Sequence, residues 1–271
     1  MDPSDPPTTD QAEPSDPGRS DLVESFARGL AVLRAFGPSR RALTLTDIAK
    51  LTGQQRSTSR RFLLTLCALG YAVQDGRYFS LTPRVLELGY SYLTSLGFPT
   101  LIQPHLTGLT RLLGESSSAA VLDGTEIVYV ARSAAPQRLM SISLGIGSRL
   151  PAFVTSMGQA LLAELSDDEF ARRCAEISFE RYTARTLPDA ALLAAKCEDI
   201  RRLGFALVDQ ELEIGLRSIA IAIPARNAAP AFAINVATNV ARVSRADMEQ
   251  RILPALRDAA AACAATVQMM L

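Results

Sequence analysis

Residues 44–81 constrain this chain more than any other stretch, because they place two short helices around a tight turn and close with a hairpin. Thr44-Leu-Thr-Asp47 matches a capping box, in which the Thr44 hydroxyl and the Asp47 carboxylate serve opposite backbone N–H groups. The short helix it opens is predicted to bury Leu45, Ile48 and Leu51 and to end at Gly53. A second helix begins near Gln55 and runs to Leu69, with Ser59, Phe62, Leu63, Leu66 and Leu69 turned inward. Tyr71-Ala-Val73 and Tyr78-Phe-Ser-Leu81 flank Asp75-Gly76, which predicts a hairpin with a type I′ turn. Upstream, Phe26, Leu30, Leu33 and Phe36 recur at spacings of four and three, one face of a helix stopped by Gly37-Pro38. Helix, helix–turn–helix and hairpin within about 60 residues is the winged-helix order.

In that order the second helix of the pair enters a DNA major groove and the hairpin lies beside it. Arg56, Ser57, Arg60 and Leu64 fall on azimuths away from the inward face, with Arg61 at the boundary. The planar fork of arginine suits guanine edges and phosphates alike, and Ser57 and Thr58 are short donors for phosphate oxygens. Gln55, Arg56, Ser57, Thr58, Arg60 and Arg61 are therefore candidate contacts to double-stranded DNA, with Arg77 beside the wing. Charge agrees with this: residues 21–95 hold ten arginines and lysines against five acids, although the whole chain is formally neutral.

Residues 1–20 differ in kind. They carry five acids (Asp2, Asp5, Asp10, Glu13, Asp16), one base (Arg19) and five prolines, with almost nothing to bury, which predicts a disordered acidic tail. The N-terminus has no apolar core, so no secretory signal is visible and a cytoplasmic chain is expected. Cys67, Cys174, Cys197 and Cys263 are far apart and form no Cys-x-x-Cys pair, so they are expected as reduced core residues. With His105 as the single histidine, a His-rich metal site is impossible, and neither metal nor cofactor is expected. No apolar run is long enough to span a membrane.

Thr82-Pro83 restarts a helix whose stripe of Val85, Leu88, Tyr92 and Leu96 ends at Gly97, before Pro99. A helix this apolar between two domains needs a partner, and a second copy of itself predicts a dimer. The boundaries expected are 1–20 for the tail, 21–81 for the winged helix, 82–97 for the linker helix and 98–271 for an α/β remainder. That remainder reads as a helix over Leu101–Leu113, a hairpin of Ser117–Leu122 and Glu126–Arg132, and a strand over Leu139–Leu144. Helices follow over 156–165, 167–176 and Pro188–Leu203. Strands are expected at Phe205–Asp209, Leu216–Ile223 and Ala231–Thr238, the last two buried on both faces, before a long helix from Arg245 to Met270.

Gly145-Ile-Gly147 lacks the third glycine and the following helix of a dinucleotide fingerprint, and no P-loop or nucleophile elbow occurs. Asp209, Glu211 and Glu213 alternate along a strand end with no base or metal partner in view, so nothing in the chain demands an enzyme. Thr155-Ser-Met-Gly158 precedes a helix, and its free N–H groups would attract a carboxylate. A small-acid sensor and a plain strand-to-helix connection fit those residues equally well.

Taken together the chain resembles the IclR family of transcriptional regulators over residues 22–271. The DNA-binding end carries Ser25-Phe-Ala-Arg28, Leu45-Thr-Asp-Ile-Ala49, Thr58-Ser-Arg60-Arg61-Phe-Leu-Leu-Thr-Leu66 and Gly70-Tyr71. The other end carries Arg149-Leu-Pro-Ala152, Thr155-Ser-Met-Gly158-Gln-Ala-Leu-Leu-Ala163, Gly204-Phe-Ala206, Glu213-Ile-Gly215-Leu-Arg217-Ser-Ile-Ala220 and Asn235-Val. Within the family it is similar to the Pca/Pob branch, regulators of aromatic-acid breakdown. The resemblance implies an α+β chain: an N-terminal winged helix-turn-helix, a linker helix for dimerisation and a C-terminal GAF/profilin-like effector-binding domain, with dimers or dimers of dimers.

It also implies a small carboxylic-acid effector such as protocatechuate, 4-hydroxybenzoate or β-ketoadipate. The implied pocket is walled by Ile142, Leu150, Leu216, Ser218 and Asn235, with Ser156 and Met157 at a helix N-terminus and Asp209 across the cup. Arg132, Arg149 and Arg217 are the cations that could take the acid. Two rivals remain: a constitutive DNA-bridging protein without an effector, and an enzyme acting on the acid.

Overall fold

The computed structural model describes residues 22–37, 40–135, 144–225 and 229–270. The chain divides into two compact units between Ser91 and Tyr92. The strand expected over Leu139–Leu144 lies, but for Leu144, outside the described residues.

The first unit contains α1 (Glu24–Ala35), β1 (Ala42–Thr44), α2 (Leu45–Thr52), α3 (Arg56–Ala68), β2 (Ala72–Asp75) and β3 (Tyr78–Leu81). The capping box forms as expected: Asp47 N–H donates to Thr44 Oγ1 at 3.3 Å and Thr44 N–H to Asp47 Oδ2 at 2.9 Å. Gly53 closes α2 in the left-handed region, and Gln55 opens α3. The three strands pair antiparallel in the order β1-β3-β2. Sequence reasoning missed β1, whose three residues give too short a pattern to see; it buries Leu43 opposite Phe79.

The core gathers Val32, Ala35, Leu43, Ile48, Leu63 and Phe79. Two expected faces are thereby corrected. α1 turns Val32 and Ala35 inward and leaves Phe26 and Leu30 exposed, while Leu33 and Phe36 of the expected face stay half-buried, Phe36 against the core. Leu51 and Leu69 are exposed as well, each lying in the last turn of its helix or just past it. The hairpin turn is also corrected. Asp75 pairs with Tyr78, so the central residues are Gly76 and Arg77, and only Gly76 has positive φ (55°). Positive φ at the first central residue alone belongs to type II′ rather than I′.

The linker helix α4 (Leu86–Leu96) straddles the division between the units. Gly97, at φ 64° and ψ −50°, separates it from α5 (Phe98–Leu113). α5 begins three residues earlier than expected because Pro99 sits in its first turn, where a missing N–H costs nothing. The second unit continues with β4 (Ser116–Asp123), β5 (Glu126–Ser133), β6 (Arg149–Pro151), α6 (Ser156–Ala163), α7 (Asp167–Glu176), α8 (Ala190–Leu203), β7 (Ala206–Asp209), β8 (Leu216–Ile223) and β9 (Phe232–Asn239). A short α9 (Arg245–Asp247), a π turn over Met248–Ile252 and α10 (Leu253–Met270) finish it. The π turn falls just before Pro254, which has no N–H to donate back into the helix.

The six strands form one antiparallel sheet in the order β6-β5-β4-β9-β8-β7. One face packs on α5 and α10 through Phe98, Ile102, Leu106 and Leu109, which meet Ile219, Phe232, Ile234 and Val236; Phe98 stacks on Phe232 with ring centroids 4.4 Å apart. The opposite face is a floor of alanines, Ala120, Ala206, Ala220 and Ala233, and α6 lies on it with all eight residues buried. β8 and β9 are thus buried on both faces, as their unbroken apolar runs predict.

One glycine lets the turn that precedes α6 pack directly against the helix. A Cβ built on Gly158 would sit 2.2 Å from the Ala152 carbonyl oxygen and 2.4 Å from its Cα, a clash with backbone that no rotamer relieves. Gly158→Ala is expected to cost about 3 kcal/mol, the upper end for overpacking. Gly108→Ala, facing open space on α5, should be neutral or stabilising by about 1 kcal/mol at most. Thermal denaturation of the two variants checks this, and equal melting temperatures would count against the close approach.

Candidate nucleic-acid interface and effector site

On the first unit, α3 presents Gln55, Arg56, Ser57, Arg60 and Arg61 to solvent, with Thr58 half-buried and Ser59 and Leu63 in the core. Arg56, Arg60 and Arg61 make no ion pair among the described residues. The turn before α3 is tied to α1 by Gln54, whose Nε2 donates to the Arg28 carbonyl at 3.0 Å. Arg77, in the wing, donates to Tyr78 Oη at 3.0 Å and lies over the Tyr78 ring. A rigid short helix that points unpaired guanidinium groups outward can meet phosphates or base edges without first breaking internal bonds.

On the second unit, the alanine-floored face becomes polar toward β4 and β5. Asn235 of β9 pairs with Ser118 of β4 on one side and Ala220 of β8 on the other. Ser118 pairs in turn with Arg132 of β5, and Arg132 Nη1 donates to Ser118 Oγ at 3.3 Å. Alternation along β8 puts Leu216 and Ser218 on this same face, and Leu150 and Met157 join its core. The Thr155 hydroxyl caps α6 by accepting from the Gly158 N–H at 3.2 Å. Ser156 Oγ, in the first turn, and Asn235 Oδ1, on the sheet, are both buried without a partner among the described residues. Two buried polar atoms left this way carry a desolvation cost that a bound polar molecule would remove.

Six of the eight expected effector residues, Leu150, Ser156, Met157, Leu216, Ser218 and Asn235, thus belong to the elements that meet at this face. Ile142 lies outside the described residues. Asp209 is placed elsewhere: strand alternation sets it with Leu207 and Arg217 on the face toward α5 and α10, and Val208 holds the register nearer the cup. Its carboxylate is taken by Arg217 at 2.9 Å and Arg185 at 2.5 Å. Burial opposes its ionisation, yet those two arginines prevail and hold it below the ordinary aspartate value. The three candidate cations separate on the same grounds. Arg149 is held by Asp123 and Glu126, each at 2.7 Å, and Arg217 by Asp209 and the Val243 carbonyl. Arg132 has no carboxylate partner among the described residues.

Sequence reasoning passed over a second polar cluster behind α6. Gln159 Nε2 donates to the Glu211 carboxylate at 2.7 Å and to the Phe153 carbonyl at 2.9 Å. Thr183 and Thr186 bond the Glu211 backbone carbonyl, and Phe153 packs edge-on against Phe179. Burial pushes the Glu211 carboxyl up to about 7, only partly offset by Gln159 and by Lys196. Gln159 is one helical turn from Ser156, which is the spacing that could have pointed to it. Among the described residues no cluster could hold a metal, and no helix is long and apolar enough to cross a membrane. The four cysteines are unpaired, three buried and Cys67 half-buried.

A helix-turn-helix unit followed by an α+β unit whose sheet carries buried polar atoms without partners has the build of a ligand-responsive transcriptional regulator. The chain belongs to the IclR family: the family's "Bacterial transcriptional regulator IclR C-terminal" profile matches residues 90–265, and its "IclR helix-turn-helix domain" profile matches residues 25–76. It is 44% identical over 88% of its length, and 82% of the relative's, to the Pca regulon regulatory protein of Pseudomonas putida. It is 37% identical to the p-hydroxybenzoate hydroxylase transcriptional activator of Acinetobacter baylyi, over 89% of this chain and 90% of that one. A crystal structure of a transcriptional regulator from Rhodococcus sp. RHA1 shares the fold at a TM-score of 0.80 and 44% identity, over 92% of this chain and all of the other. The relatives are regulators rather than enzymes, and the chain is a DNA-binding transcriptional regulator.

Glu211 makes one property of the second unit measurable. Its folded value of about 7 lies above the ordinary 4.5, so the folded chain holds a proton that the unfolded chain has released between those values. Stability present below about 4.5 is therefore lost as pH rises toward about 7, and no further loss follows above it. Glu211→Gln removes the titration, so its melting temperature should gain on the parent's from pH 5 to 7.5. Parallel melting curves for the two proteins would show that Glu211 titrates normally.

Proposed function

We propose that this regulator controls aromatic-acid catabolism by sensing a small aromatic carboxylic acid in the cup of its second unit. Arg132 carries the reading: it is the cation of that face without a carboxylate partner among the described residues, and it sits beside Ser118 and Asn235. A carboxylate would pair with Arg132, while a ring hydroxyl would meet Asn235 Oδ1 or Ser156 Oγ. Met157 and Leu150 offer apolar and polarisable surface to a ring. The names of the relatives, a Pca regulon regulator and a p-hydroxybenzoate hydroxylase activator, support an acid of this kind; protocatechuate and 4-hydroxybenzoate are the aromatic candidates, and β-ketoadipate is the aliphatic alternative.

A ligand at 100 times its dissociation constant stabilises a folded protein by about 2.7 kcal/mol, which is readable as a melting shift. Protocatechuate or 4-hydroxybenzoate should shift the melt of the parent, and Arg132→Ala should lose the shift while melting normally alone. A panel of such acids that moves neither protein would leave the constitutive DNA-bridging alternative standing.

In this reading α3 enters the major groove, with Gln55, Arg56, Ser57, Thr58, Arg60 and Arg61 at the duplex and Arg77 beside the wing. The chain works in the cytoplasm as a dimer or dimer of dimers joined through α4. The exposure of Leu86, Leu88 and Tyr92 on that helix supports the pairing. A gel-shift titration of an operator fragment should show two or four chains per site. Arg60→Ala should weaken it by about 1–3 kcal/mol if it reads a base; undiminished binding would remove α3 as the reader.

A further inference from the structure

Beyond the effector, the first unit carries a charge relation that the regulator reading leaves unused. The first turn of α1, through Glu24 and Ser25, lines a cleft of about 460 Å³ together with Arg28. Its other wall is α3, through Thr58, Arg61, Phe62 and Thr65. Arg28 is already neutralised by Glu24 at 2.6 Å, but Arg61 and its neighbours Arg56 and Arg60 are not neutralised by any described residue. The N-terminal end of α1 therefore lies beside α3. Residues 1–20, which precede it, carry five carboxylates against one arginine.

We propose that the acidic segment 1–20 is an intramolecular occupant of the basic face of α3, competing there with DNA phosphates. The inference rests on α3 being the DNA reader. Reach is not limiting. Twenty residues can span at most about 66 Å, and the thirteen residues of α3 extend about 20 Å. Tethering also raises the local concentration of the segment into the millimolar range. Single exposed ion pairs are weak, so the occupancy is partial and salt-sensitive, and DNA displaces the segment rather than being excluded by it. The effect is to lower affinity for arbitrary DNA most where electrostatics dominate, at low salt.

The test uses fluorescence anisotropy with a mixed-sequence duplex as the probe. It compares the full chain, the chain lacking residues 2–20, and a full-length variant with Asp2, Asp5, Asp10 and Asp16 changed to Asn and Glu13 to Gln. At about 50 mM salt both altered chains should bind about three- to tenfold more tightly than the parent, and at about 300 mM the three should converge. Combining the deletion with Arg60→Ala and Arg61→Ala should shrink the gain, because the segment has then lost its counter-charges. Equal affinities at low salt overturn the inference, provided that Arg60→Ala and Arg61→Ala still weaken binding. If those two substitutions leave DNA binding untouched in every background, α3 is not the reader and both conclusions fall.

Discussion

The second unit depends on a backbone-to-backbone approach, that of Gly158 to Ala152 at the N-terminal end of α6. With a hydrogen in place of a methyl group at 158, the turn through Ala152 folds back directly onto the helix, whose other side lies on a sheet surface rich in alanine. α6, with Ser156 and Met157 in its first turn, packs on the strands that carry Asn235, Ser118 and Ser218. A helix held further away by larger residues would leave room for water, and the orphaned oxygens of Ser156 and Asn235 would be hydrated instead of buried. The polarity of the cup is thus a consequence of packing density rather than of the polar residues alone.

The same packing explains which charges remain available. Arg149 and Arg217 lie at strand positions where acids from a neighbouring strand or turn are within reach, Asp123 and Glu126 for one and Asp209 for the other. Arg132 has beside it the Ser118 hydroxyl, which accepts a hydrogen bond but supplies no countercharge, and no described carboxylate pairs with it. On the first unit the logic repeats on a convex surface: α3 spends Ser59 and Leu63 on the core and keeps its guanidinium groups outside it.

Much of this was legible in the residue order. The Thr44–Asp47 capping box, the Gly53 turn and the inward stripe of α3 are local signals, written within one or two helical turns, and the structure agrees with them. The departures come from information that is not local. α1 offers two apolar faces, Phe26-Leu30 and Val32-Ala35, and only the position of α3 decides between them. Asp209 looked like a cup residue because its motif matched, but strand parity, fixed by pairing with Arg217, turns it to the other side of the sheet. Ser118 and Asn235 are over a hundred positions apart in sequence, and their adjacency exists only in the register of β4 with β9. Glu211 was visible as an acid at a strand end; that it is buried against Gln159 follows from the depth of α6.

The joint at Gly97 has a mechanical side. α4 and α5 are separated by one residue, held at a φ of 64° that side-chain-bearing residues rarely adopt. Helices are stiff over this length, so the compliance of the connection is concentrated in the torsions around a single α-carbon. The eleven residues of α4 make an arm about 16 Å long at 1.5 Å per residue. A rotation of about 20° at its root carries the far end through roughly 5 Å, about the pitch of one helical turn. Any torsional change at Gly97 would therefore be geometrically magnified along α4.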